Sequence, residues 1–222
     1  KTQLVLPTND FFPGKVASVA EMSSAIFQRV KTYAQVEQWP IALVQPEIYN
    51  PPQTLLLTEQ VSSRSTQLTQ VQATPLPVSF HPAQINKPQD LIANLTVQMS
   101  NYIANNIDRH PPGGQEFWPQ AVELLSVYFG FGIMLSNSAY TFRGGCGSCY
   151  NKSANREAAL PESEAVFALA IFCNLKNIPA SQASGHLKSY LRKDFKHAMK
   201  DIKKNHSERI SFLKQLKPDL AS

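Results

Sequence analysis

The chain predicts an α+β domain, mostly helical, with a small sheet of short strands in its N-terminal half and a buried central helix pair. Three observations carry this expectation. Helix-spaced apolar residues come first, short apolar runs separated by prolines follow, and after residue 86 the spacing is helical only. At 222 residues the chain is long enough for one good core and short for two ordinary domains. Its 43% hydrophobic and 17% charged residues suit a folded protein rather than a disordered one.

Residues 1–14 read as an extended arm closed by Pro13-Gly14. A helix is expected from Lys15 to Val36, where Val16, Val19, Ala20, Ser23, Ile26, Phe27, Val30 and Tyr33 recur on one face. Trp39-Pro40 stops it. Short strands are expected at 41–44, 54–58 and 78–80, with 62–74 a polar edge strand or loop and the sheet antiparallel or mixed. Asn86 is a candidate N-cap, with Pro88 in the first turn and Gln89 as its capping-box partner. The helix it opens, 88–107, carries Leu91, Leu95, Met99 and Tyr102 down one side.

Pro111-Pro112-Gly113-Gly114 breaks the chain before a helix expected over 117–136. That helix is apolar nearly all round, which places it in the core. Residues 141–160 read as a loop, Pro161 opens a helix through Leu175, and the last helices run from 180 to 217. A single core domain, 15–186, is thus followed by a basic amphipathic segment, 187–222.

No apolar run is read as membrane-spanning, since the longest, Ala121 to Leu135, is short and contains Glu123. The first ten residues lack the apolar centre of a signal peptide. Lys1 stands where a whole chain opens on Met, so a trimmed upstream segment stays open. Three cysteines, an odd number, argue against a disulfide scaffold and for a reducing, cytoplasmic setting. Net charge is +5. Residues 1–186 hold 11 basic and 12 acidic residues, and residues 187–222 hold 10 basic and 4 acidic, so the tail carries the whole excess.

Four constellations are candidates for function. The first is the central helix pair: Thr96-Val97-Gln98-Met99-Ser100-Asn101, mid-helix after a strand, and Gln120 to Gly132 on the next helix. This layout resembles the small HExxH metallopeptidases, the zincins. In those, one helix supplies two histidine ligands at i and i+4 with a glutamate general base beside the first, and a following helix supplies an acidic third ligand. The resemblance spans roughly residues 15–176 and aligns Val97 and Asn101 with the histidines, Gln98 with the base and Glu123 with the third ligand. Only Glu123 keeps the required chemistry. Valine cannot bind zinc, an asparagine amide is a poor substitute for imidazole, and Gln98 has no carboxylate with which to activate water. The resemblance therefore implies an inert frame. Without it, the stretch is a plain helix pair with Glu123 facing solvent or a basic partner.

The second is Cys146-Gly147-Ser148-Cys149, whose spacing suits half of a structural zinc site or a redox pair. Cys173 and His186 are the nearest further ligands, although Cys173 sits in an apolar helix where a free thiol commonly packs as a core residue. Two incidental loop thiols are the plainer reading. The third is the histidine set, His81, His110, His186, His197 and His206, of which no two form a ligand pair within a helical turn. Glycine pairs at 113–114 and 144–145 lack the residues of a phosphate loop, and Gly130-Phe131-Gly132 reads as helix packing.

The fourth is the tail. Lys188, Arg192, Lys196, Lys200 and Lys203 alternate with Leu187, Leu191, Phe195, Ala198 and Ile202. This is an amphipathic helix about 30 Å long if continuous from Leu187 to His206. Docking of its apolar face on the core is expected, with the basic stripe open to an acidic protein, a nucleic acid or an anionic surface. The function expected is a non-catalytic binding or assembly protein that recognises a protein partner, with no cofactor beyond a structural zinc at Cys146 and Cys149. A metal- or thiol-dependent hydrolase and a nucleic-acid-binding protein are the alternatives.

Overall fold

In the computed structural model, residues 2–12, 18–44, 75–107, 109–139 and 156–216 are described. Within them the fold is mostly helical with a two-stranded sheet, the class the sequence predicts. The strand expected at 54–58, the segment 62–74 and the Cys146–Cys149 pair lie outside the described residues.

Helix α1 (Val19–Tyr33) starts at Ser18, whose hydroxyl accepts from the Glu21 amide at 3.1 Å. It ends earlier than Val36 because Gln35 takes a left-handed conformation, φ 61°. Strands β1 (Ile41–Leu43) and β2 (Leu76–Val78) pair in parallel, Ile41 opposite Leu76 and Leu43 opposite Val78. Among the described residues the sheet is therefore one parallel pair rather than an antiparallel one, and β2 lies two residues upstream of the expected strand. The reason is a side chain 19 residues further along. The Ser79 N–H donates to Gln98 Oε1 at 3.1 Å and the Ser79 carbonyl accepts from Gln98 Nε2 at 2.6 Å. A side-chain amide thus takes both groups that a neighbouring strand would use.

Helix α2 (Pro88–Asn105) has Lys87, not Asn86, at its N-cap, with no side-chain cap. The capping box forms one turn upstream, on the 3₁₀ turn Pro82–Asn86. There Ala83 N–H donates to His81 Nδ1 at 3.2 Å and His81 N–H to Gln84 Oε1 at 3.3 Å.

The expected helix 117–136 is three pieces: α3 (Trp118–Ser126), a π-helical segment (Val127–Phe131) and α4 (Gly132–Ser138). The break falls at Gly130, φ 102°, where the N-terminal arm crosses. Val5 N–H donates to the Gly130 carbonyl at 3.0 Å. A Cβ at position 130 would stand 1.9 Å from the Gln3 carbonyl oxygen, so only glycine fits. Gly132 serves the expected helix packing, lying against the Leu169 side chain. The whole run Gln115–Ser138 is long and apolar enough to cross a membrane by length and composition, more than Ala121 to Leu135 suggests, yet 72% of its apolar window is buried inside the fold.

Helix α5 (Glu162–Leu175) is the centre of the C-terminal half, packed between α4 and α7 (Leu191–Asn205). Short α6 (Ala180–Ser184) precedes α7, and α8 (Ser207–Gln215) follows it. The expected helix from Leu187 to His206 is shorter at both ends. Asn137 holds the connection before it open, accepting from Lys188 N–H at 2.9 Å and donating to the His186 carbonyl at 2.9 Å. Phe131, Leu135, Leu169, Phe172 and Phe195 are fully or almost fully buried and join these helices into one core with Leu91, Leu95 and Met99 of α2.

Candidate functional site

The helix pair α2–α3 is joined by small polar groups. Ser126 Oγ donates to Ser100 Oγ at 2.8 Å, and Trp118 Nε1 donates to Asn101 Oδ1 at 2.8 Å. Asn101, the second histidine position of the resemblance, is thus an acceptor for the tryptophan that begins α3. Val97, the first, is 7% exposed and packs in the core. Gln98 faces β2, bound to Ser79 as described above, with a third contact from its Nε2 to the Asn94 carbonyl at 3.4 Å.

Glu123 is 0% exposed, so it does not face solvent. Arg156 Nη1 donates to Glu123 Oε1, and the pair is buried on both sides. Ala159 N–H donates to Oε1 at 2.9 Å and Leu160 N–H to Oε2 at 3.0 Å. Arg156 is itself held by Ser138 Oγ at 3.1 Å and the Leu135 carbonyl at 3.4 Å. Both carboxylate oxygens of Glu123 are therefore engaged in tying the segment before α5 to α3 and α4.

Zinc, which the resemblance implies, does not fit this donor set. Val97 offers no donor, the amides of Gln98 and Asn101 are bound to Ser79 and Trp118, and Glu123 is neutralised by a guanidinium that also repels a cation. Among the described residues no group of three or more His, Cys, Asp and Glu is placed to hold a metal.

Asp90, in the first turn of α2, belongs to the same buried polar region. Burial pushes its carboxyl above the ordinary range, and Lys87, Lys188 and Arg156 nearby offset only part of that. Its Oδ1 has no hydrogen-bond partner among the described residues. Arg156 and Asp90 have no local sequence signal. The one clue is general: a carboxylate on an apolar helix needs a buried cation, and the sequence does not say which.

Cys173 is fully buried in α5, and burial pushes its thiol up to about 12, so it behaves as a neutral core residue at physiological pH. His186 is half-buried beside α6. Of the tail residues, Arg192 is exposed and folds back onto the segment before α7, its Nε donating to the Leu187 carbonyl at 2.9 Å and its Nη2 to that of Gly185 at 3.2 Å. Lys188 is half-buried near Asp90. Lys196, Lys200 and Lys203 are exposed, and Lys193 and Lys204, absent from the expected stripe, join them. None of these five lysines forms an ion pair or hydrogen bond among the described residues.

No family model matches the chain, and neither the curated proteins nor the solved structures yield a match.

Proposed function

We propose that the chain is a non-catalytic binding protein that recognises an acidic protein partner through α7, on a frame like that of a metallopeptidase without its ligands. The observation that carries this reading is the cationic face of α7. Phe195 and Ile202 anchor that helix in the core while five lysines stand in water without partners among the described residues. A rigid, pre-formed row of like charges favours an oppositely charged surface and speeds encounter with it. The frame supports the non-catalytic part, since Gln98, Asn101 and Glu123 make folding contacts and Val97 has no polar side-chain atom.

The test is binding of the intact chain to a fluorescent Glu/Asp-rich peptide, to duplex DNA and to anionic vesicles over a salt series. Tight, salt-sensitive binding of the peptide that is lost in Lys196→Glu/Lys200→Glu/Lys203→Glu supports the proposal. Preference for DNA with the same charge dependence moves the reading to a nucleic-acid-binding protein. Stoichiometric zinc with peptidase activity that disappears in Glu123→Gln overturns it.

A further inference from the structure

The N-terminal arm, α1 and the start of α2 border a cavity of about 390 Å³, whose lining includes neither Val97, Gln98, Asn101 and Glu123 nor the lysine row. That volume lies within the range of small-molecule sites. Phe12, Met22, Ile26 and Ile92 give it apolar walls, and Thr8 and Arg29 give it a polar rim.

Two of its polar groups are unspent. Thr8 Oγ1 is buried with no hydrogen-bond partner, and Arg29 forms neither an ion pair nor a hydrogen bond among the described residues. A buried hydroxyl left unpaired is costly, and a rotation about χ1 of Thr8 would turn it toward the cavity and a ligand held there. The same cavity receives Pro88 and Gln89, the start of an 18-residue helix with no side-chain cap, so the positive end of α2 opens on it. One guanidinium matches one carboxylate in a two-pronged hydrogen bond.

We propose that this cavity binds a small monocarboxylate with an apolar body. The body packs against Phe12, Met22, Ile26 and Ile92, and the carboxylate accepts from Arg29 and the Thr8 hydroxyl. This site is independent of α7 and of any partner bound there.

Calorimetric titration of the intact chain with decanoate, naphthoate and uncharged decanol tests it. Saturable one-to-one binding of at least one acid is expected, with decanol roughly tenfold weaker than decanoate if the chain-like acid is preferred, the loss of one charge-assisted contact. Arg29→Gln, at an exposed position, lowers acid affinity about tenfold and leaves decanol unchanged. Ala25→Trp fills the cavity and removes binding of all three, and the milder Ala25→Leu, measured beside it with a thermal melt, weakens all three. No saturable binding of either acid overturns the proposal, as does acid affinity that is equal in the wild type, Arg29→Gln and Ala25→Leu.

Discussion

Replacing Glu123 by alanine separates a structural carboxylate from a residual metal ligand. The Arg156 side chain is 3% exposed and that of Glu123 1%, so the substitution strands a guanidinium away from water. Breaking a buried pair from one side costs about 3–5 kcal/mol. The amides of Ala159 and Leu160 lose their acceptor too, each worth about 1–3 kcal/mol where water cannot enter. The space left by the side chain admits some water, so the terms overlap, and the firm expectation is a loss of at least about 3 kcal/mol. Against a native stability of about 5–15 kcal/mol that is a large share. Urea unfolding followed by circular dichroism at neutral pH reads it as a midpoint lowered by about 1 M or more at unchanged slope. Glu123→Gln falls between, because it keeps one acceptor but sets an N–H₂ group against backbone donors. The double variant Glu123→Met/Arg156→Met recovers much of the loss, since it removes the stranded charge as well. A Glu123→Ala protein within about 1 kcal/mol of wild type would refute the structural account.

Three further outcomes follow from the same coordinates. Gly130→Ala is expected to cost at least about 2 kcal/mol, because the new methyl meets the Gln3 backbone at a positive φ; the cost shrinks in a chain lacking residues 1–6, which urea unfolding of the four proteins measures. Asp90 has a folded-state pKa raised above the ordinary 3.8 by burial, so its ionisation on raising pH through the interval above 3.8 costs stability. Asp90→Asn is therefore more stable than wild type at pH 7 and loses that advantage toward pH 4; a pH series of urea midpoints in which the advantage grows on acidification contradicts the sign. Cys173, with its thiol at about 12, stays unalkylated by iodoacetamide at pH 8 in the native chain and reacts only in denaturant, as peptide mass spectrometry reports.

The parts of the fold legible in the sequence are those whose cause is local. The repeat of Ile26, Phe27, Val30 and Tyr33 marks α1, and Pro161 before acidic Glu162 and Glu164 marks the start of α5. Errors arise where a distant group decides. Asn86 and Gln89 satisfy the local rule for a cap, but Gln89 Oε1 is taken by Asn137 at 2.6 Å, and His81 with Gln84 forms the box instead. The kink at Gly130 depends on backbone arriving from the first residues of the chain, which no window around 130 contains. At the helix pair, sequence identifies the residues that cannot bind metal. It cannot say that Gln98 replaces a strand neighbour for Ser79, or that Asn101 exists for Trp118.

That distribution of polar contacts also sets what the chain has left to offer a ligand. Inside the helix pair Gln98, Ser100, Asn101, Glu123 and Ser126 are already acceptors or donors for the fold, and reassigning any one of them strands its partner in a dry core, at a cost comparable to the stability of a domain. Both proposed recognition sites use groups that are idle among the described residues: the lysine row of α7 and the Arg29–Thr8 rim of the cavity. The two differ in physics. The lysines are exposed and act at a distance, so ionic strength controls them within a length of about 8–10 Å. The proposed cavity site would draw most of its affinity from apolar contact, which salt does not screen and excluded salts strengthen. Because the cavity is bounded by the arm that crosses Gly130, its shape depends on the kink as well as on its own lining, which ties a position where only glycine fits to the proposed site.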